Sequence, residues 1–206
     1  MLPLVAMPST LIAILAAGES LRMGSPKLCL PWKKTTVLGH LLTQWTEAGA
    51  EKIVVIHPQD PQSAVVQELD RLQIQSTQRA ATIAPERGMM GSVVTAAGLA
   101  AQDPSLTHLI IALGDQPHIH TETLRKLLLA CAITPGKIVR VLFDGKPGHP
   151  LALPATVLRD LTTTSCATLR DFLGQQQIPV SDLTCDDSGV LVDMDTPDEY
   201  LKASRL

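Results

Sequence analysis

The sequence predicts one α/β domain, with helices packed on the faces of a mostly parallel sheet. Three observations lead there. Short aliphatic runs alternate along the chain with helical patterns, as right-handed strand–helix–strand crossovers require. Apolar residues make up 45% of the chain and aromatic ones only 2%, so the core is aliphatic, which suits helices on a parallel sheet. The first run, Leu11 to Ala17, is unbroken and short, the mark of a strand buried on both faces. At 206 residues the chain suits one large core and is short for two. No linker, repeat or low-complexity segment divides it, so residues 1–206 read as one domain, with 1–10 expected as a flexible N-terminal segment.

The remaining elements follow in order. A helix opens at Val37, with Val37, Leu38, Leu41, Leu42 and Trp45 on one face. Ile53 to Ile56 is the second strand. Asp60-Pro61 predicts a helix start, Asp as N-cap and Pro at the first helical position. Val93 to Ala101 predicts a helix of small residues, Leu109 to Leu113 a deeply buried strand, and Leu124 to Ala130 a helix capped by Thr121. Ile138 to Phe143 is a strand, and a Gly-Lys-Pro-Gly turn leads to another at Leu151 to Leu153. Thr168 to Leu173 is helical, and Thr196-Pro197 starts the last helix.

Beyond the first strand the chain reads Gly18-Glu-Ser-Leu-Arg22-Met-Gly24-Ser-Pro-Lys27. A buried strand that opens into glycines and two cations is suited to phosphate: backbone N–H groups approach where no Cβ intervenes, and the cations neutralise charge. Five residues separate Gly18 from Gly24, and Ser25-Pro26 precede Lys27. That excludes both the Walker loop and the three-glycine dinucleotide fingerprint. Gly114-Asp115 ends the most apolar strand, where open α/β sheets bind ligands. A carboxylate there could share Mg²⁺ with a triphosphate; the ordinary alternative is a cap for the helix near Thr121. Asp193 and Asp195 flank Met194, and in a strand both would face one side, although Asp195 also suits the helix start. Gly148-His149-Pro150 reads as part of a tight turn, with His149 either a hydrogen-bond donor to a ligand or simply solvated. Gly88 to Ser92 leads into the Val93 helix, whose N-terminal N–H groups suit an anion. His118 and His120 lack a third ligand, which argues against a zinc site.

The first loop, Leu15-Ala16-Ala17-Gly18-x-Ser-x-Arg22-Met-Gly-x-Pro-Lys27-Leu, resembles the signature of the molybdopterin nucleotidyltransferase-like family, closest to its molybdenum cofactor cytidylyltransferase branch. Matching motifs follow in the family's order: Arg87 to Ser92, Gly114-Asp115-Gln116-Pro117, Gly148-His149-Pro150, Thr168-Leu169-Arg170 and Asp193 to Pro197. The resemblance covers roughly residues 10 to 203. It implies a Rossmann-like three-layer α/β/α nucleotidyltransferase fold, and transfer of CMP from CTP to the terminal phosphate of a molybdopterin-type cofactor. It further implies Arg22, Lys27 and Asp115 as catalytic. Leu15, Ala16, Ala17, Gly18, Arg22, Lys27, Gly88, Ser92 and Gly114 would bind the nucleotide. Asp115 and Asp195 would hold Mg²⁺, with Mn²⁺ as a substitute; Gln116, His149 and Arg170 would bind the acceptor. Ala17 and Gln116 resemble the cytidylyl branch. Two departures stand out: Ala84 where the family has Asn, leaving backbone groups to serve there, and Lys33-Lys34 where a glycine is common, which affects only a hairpin. Alternatives are a sugar- or alditol-phosphate nucleotidyltransferase, or a nucleotide-binding chaperone for a molybdenum hydroxylase. The cytidylyltransferase reading itself includes a transient contact with such a hydroxylase.

Net charge is −3 with no basic tract, which argues against nucleic acid as a partner. The four cysteines make no C-x-x-C pair, as expected in a reducing cytoplasm. No apolar stretch reaches the ~18–20 residues of a membrane span. The apolar N-terminus lacks a positive n-region and carries Pro3 and Pro8, unlike a signal peptide.

Overall fold

Ser9–Leu15 forms β1, and its side chains divide alternately between two cores: Ile12 and Ile14 on one face, Ala13 on the other, all fully buried. The computed structural model describes residues 9–18, 20 and 23–205. The expected flexible segment therefore lies outside the described residues up to residue 8, while Ser9 and Thr10 already belong to β1. The chain continues through β2 (Pro31–Trp32), β3 (Thr35–Thr36), α1 (Val37–Ala48), β4 (Lys52–His57), α2 (Ala64–Arg71), β5 (Arg79–Ala81) and α3 (Met89–Ala100). It then forms β6 (Leu106–Leu113), α4 (Thr121–Ile133), β7 (Ile138–Phe143), β8 (Lys146–Pro154), α5 (Leu158–Thr163), α6 (Leu169–Gly174), β9 (Val180–Thr184) and α7 (Pro197–Ala203).

The main sheet has the order β5-β4-β1-β6-β8-β7-β9, and β2 pairs with β3 in a separate hairpin. Every pairing in the main sheet is parallel except those of β8, which runs antiparallel to both neighbours. Helices α1, α2, α4 and α7 cover one face and α3, α5 and α6 the other, giving the three-layer α/β/α architecture. β1 and β6 are buried on both sides, which is why they read as continuous apolar runs.

Several expectations shift. Asp60 does not cap a helix: its Oδ1 accepts the Gln62 N–H at 2.8 Å in a local turn, and Ser63 caps α2. α3 starts at Met89, so Ser92 lies in its first turn. α4 starts at Thr121, behind His120 as N-cap. The carboxylate at its start belongs to Asp187, whose Oδ2 accepts the His120 N–H and the Thr123 hydroxyl, each at 2.8 Å. The tight turn falls at Asp144-Gly145, both with positive φ, as a two-residue hairpin loop demands. Gly148-His149-Pro150 thus lies inside β8 instead of in a turn. The edge strands β5 and β9 and the short helix α5 have no counterpart in the sequence reading.

Candidate active site

From β1 the sheet extends one way to β4 and the other way to β6, so the carboxyl ends of β1 and β6 flank a topological switch point, the crevice where open α/β sheets take ligands. Leu15 ends β1, Ala16 is buried, and Ala17 and Gly18 emerge into the loop. The Gly114 N–H donates to the Leu15 carbonyl at 3.2 Å. A Cβ on Gly114 would stand 2.7 Å from that oxygen and 3.0 Å from the Leu28 side chain. Glycine alone lets the end of β6 lie against the loop.

The loop folds back on itself where Lys27 donates its backbone N–H to Ser20 Oγ at 3.2 Å, and the buried Leu28 anchors it in the core. Lys27 Nζ then reaches Asp115 Oδ2 at 2.6 Å and Asp195 Oδ1 at 3.0 Å. Burial acts to lower the Lys27 pKa, but Asp115 and then Asp195 outweigh it and hold the ammonium above its ordinary value. Arg22 and Glu19 lie outside the described residues.

Residues 192–195 are irregular in place of a strand, yet the alternation survives. Met194 is fully buried, while Asp195 faces Lys27 and Asp193 Oδ1 accepts the Gln116 amide N–H at 3.0 Å. The Asp195 backbone is fixed by Glu199, whose Oε2 accepts the N–H groups of Asp195 and Thr196 at 2.9 Å each, in a capping box that starts α7. Asp193 is exposed as a residue, but partial desolvation of its carboxyl, followed by the charges of Asp115 and Asp195, holds its pKa above the usual carboxylate range. His149, half-buried on β8, has its pKa lowered by burial, against the opposite pull of Asp193 and Asp115. Gln116 and His149 thus share this cluster with Lys27, Asp115, Asp193 and Asp195.

Gly88 caps α3 with φ 57° and ψ −134°, a combination essentially reserved for glycine. Arg87 beside it donates to the carbonyls of Thr164 and Cys166 at 3.0 Å each, tying this loop to the end of α5. Arg170 is exposed on α6, in the layer with α3 and α5, and no described hydrogen bond or ion pair joins it to the Lys27 cluster. His118 is buried against the Gly189 carbonyl at 3.1 Å, and His120 is exposed with its Nδ1 3.8 Å from Asp187 Oδ2. Sequence reasoning missed Ser20 as the loop's clasp, Glu199 as the clamp on Asp195, and Asp187. For Glu199 a signal existed: Thr196-x-x-Glu199 is a capping-box pattern.

Two carboxylates converging on one positive charge are a hard-oxygen donor set that fits a divalent cation. The Lys27 ammonium stands between them, and Asp193 lies close enough for its carboxyl to feel the charges of both. Among the described residues no three His, Cys, Asp or Glu side chains form a metal cage by themselves. Such a cation would take its other ligands from nucleotide oxygens and water, as Mg²⁺ commonly does.

Known proteins resemble the chain over nearly its whole length. Over 214 aligned residues it is 25% identical to nicotine blue oxidoreductase of Paenarthrobacter nicotinovorans, covering 95% of this chain and 97% of that one. Among solved structures, Rv0371c of Mycobacterium tuberculosis H37Rv matches with a TM-score of 0.76 at 25% identity, covering 98% of this chain and 100% of that chain; Rv0371c has also been solved in complex with manganese. Molybdopterin-guanine dinucleotide biosynthesis protein A of Archaeoglobus fulgidus shares the fold, with a TM-score of 0.67 at 14% identity over 95% of this chain and 97% of that one. The MobA-like NTP transferase domain matches residues 12–180, from β1 and its loop through the Asp115 crevice to β9, and the chain accordingly belongs to that family of nucleotidyltransferases.

Proposed function

We propose that this protein transfers CMP from CTP to the terminal phosphate of a molybdopterin-type cofactor, releasing pyrophosphate. The observation that carries the reading is the ammonium of Lys27 held 2.6 Å from Asp115 and 3.0 Å from Asp195 at the sheet's switch point. Nucleotidyl transfer is an in-line displacement at the α-phosphorus, in which protein groups chiefly position the reactants and offset charge. Lys27 stabilises the charge that grows on departing pyrophosphate, and Arg22 does the same by resemblance to the family. The acceptor phosphate is already anionic, so no general base is needed. Asp115 and Asp195 would hold a divalent cation, which would supply charge neutralisation for the phosphates. The loop from Leu15 to Gly18, Gly114 and the first turn of α3 at Gly88 and Ser92 receive the nucleotide. Gln116 and His149 face the acceptor, and Arg170 serves it only if acceptor contacts extend to the α6 layer.

The name of the Paenarthrobacter relative brings a redox reading, but the loop's spacing departs from the dinucleotide fingerprint, and the paired carboxylates favour transfer. Four free cysteines accord with a cytoplasmic setting, and the reading includes a transient hand-over to a molybdenum hydroxylase. Among the described residues no helix is long and apolar enough to cross a membrane.

The test is incubation with each of the four NTPs, Mg²⁺ and molybdopterin, with pyrophosphate measured. CTP should run well ahead, because a site that pairs with the edge of cytosine leaves a buried group unmatched when uracil or a purine enters. Faster release from GTP would place the protein in the guanylyl branch. Turnover with a sugar phosphate but not molybdopterin would sink the acceptor assignment.

A further inference from the structure

Asp115 and Asp195 come from segments far apart in the chain, yet those segments interlock a few residues away from the site. Asp115 leads through Gln116 and Pro117 to His118, and Asp195 is reached from the 3₁₀ turn Ser188–Leu191. His118 is only 5% exposed, and its ring crosses from the first segment to the second. Its Nε2 donates to the Gly189 carbonyl at 3.1 Å, and the ring also lies beside the Val192 backbone. The same carbonyl accepts the Val192 N–H at 3.1 Å, so the histidine grips the turn at its exit toward Asp193. On the other side, the Gly189 N–H donates to Asp187 Oδ1 at 3.0 Å, while Asp187 Oδ2 accepts the His120 N–H. Gly189 is thus held through both of its backbone groups. A Cβ there would stand 2.8 Å from His118 Cδ2 and 2.9 Å from Asp187 Oδ1, closer than a side chain tolerates.

Nearer the site, the Gln116–Asp193 hydrogen bond at 3.0 Å is the next tie between the segments. Lys27, between Asp115 and Asp195, is the last. From Val192 to Asp195 the chain has no regular structure, so no ladder of backbone bonds sets where Asp195 stands. Its place depends on anchors at either end of that stretch. Downstream the anchor is the Glu199 capping box. Upstream it is the Gly189 turn, and His118 ties that turn to the segment that carries Asp115.

We propose that His118 is a positioning residue for the cation site: through the Gly189 carbonyl it sets how far Asp195 stands from Asp115, and hence how tightly the pair holds a divalent cation. It acts through the backbone and not as a ligand. The inference rests on the reading above that Asp115 and Asp195 share a cation.

The probe is Mn²⁺ alone, titrated into the full chain without nucleotide and followed by the electron paramagnetic resonance signal of the free ion. His118→Gln places an amide nitrogen where Nε2 stands, and His118→Asn carries the same group one carbon short. His118→Asn should bind Mn²⁺ about tenfold more weakly than wild type, the low end of the loss when a group that orients a metal ligand is removed. His118→Gln should keep most of the wild-type affinity. Leu161→Ala, which opens a cavity in the core beneath α5, should bind as wild type does, although it too costs stability. If His118→Asn does not fold, Gly189→Ala, which keeps the histidine and displaces it, takes its place in the comparison. Equal affinity in wild type and His118→Asn, equal loss in the Gln and Asn variants, or equal loss in Leu161→Ala overturns the positioning role. A wild type that binds no Mn²⁺ removes the cation pair and this role with it. A Mn²⁺ site that depends on His118 in a protein releasing no pyrophosphate from CTP keeps the role and removes the transfer reading.

Discussion

Lys27 has two partners of opposite charge and one donor-capable backbone N–H tied to Ser20, so its ammonium is pre-positioned before substrate arrives. Lys27→Ala should leave the fold intact and lower the rate by on the order of 10²–10³, the loss seen when one preorganised charge-stabilising group is removed. Near-normal pyrophosphate release by the folded variant would take Lys27 out of the mechanism. Asp193 behaves in the opposite sense. Its pKa is higher folded than unfolded, so its ionised form is disfavoured in the native state, and wild-type stability falls as pH rises through that raised value. Asp193→Asn keeps an oxygen for the Gln116 amide and removes the charge. It should raise the melting temperature slightly at pH 7, with the gain vanishing as pH drops toward the ordinary carboxylate value. A gain that persists unchanged into acid would contradict the electrostatic cause.

Among the elements, α4 depends on a carboxylate supplied from far along the chain. Asp187 accepts from His120 and Thr123 and, through Oδ1, from Gly189 at 3.0 Å. Asp187→Ala should cost about 2–3 kcal/mol, the sum expected for a lost cap and buried charge-assisted bonds. Urea unfolding checks this, and a change below about 0.5 kcal/mol would show that the cap is dispensable. The two Pro-containing helix starts show what local sequence can say. Thr196-Pro197 is followed by Glu199 at the third helical position and forms a capping box. Asp60-Pro61 has Ser63 at the equivalent place, and there Asp60 folds onto Gln62 while the helix waits for Ser63. The missing Glu was legible; the long-range cap from Asp187 was not, since nothing near residue 120 in sequence announces it.

For the whole molecule, the strands readable from sequence are those that carry a short aliphatic run: β1, β4, β6, β7 and, at Leu151–Leu153, β8. The edge strands escaped notice. β9 alternates exposed and half-buried residues and is held partly by the Arg140–Asp182 ion pair at 2.8 Å, so it carries no apolar run. The family resemblance likewise implied Lys27, Asp115 and Asp195 in one site, and the structure brings their side chains together. It also implied Arg170 at the acceptor, but α6 joins the layer of α3 and α5, where no described hydrogen bond or ion pair links Arg170 to that cluster, and the layer a helix joins is not written in its local sequence. If Asp115 and Asp195 hold the cation that the triphosphate shares, metal dependence reports on them directly. Pyrophosphate release from CTP should therefore be measured against Mg²⁺ concentration for wild type and Asp115→Asn. The predicted result is saturation at far higher Mg²⁺ in Asp115→Asn, because an amide oxygen carries no net charge; a curve that superposes on wild type would contradict the assignment and leave Asp115 as a structural carboxylate.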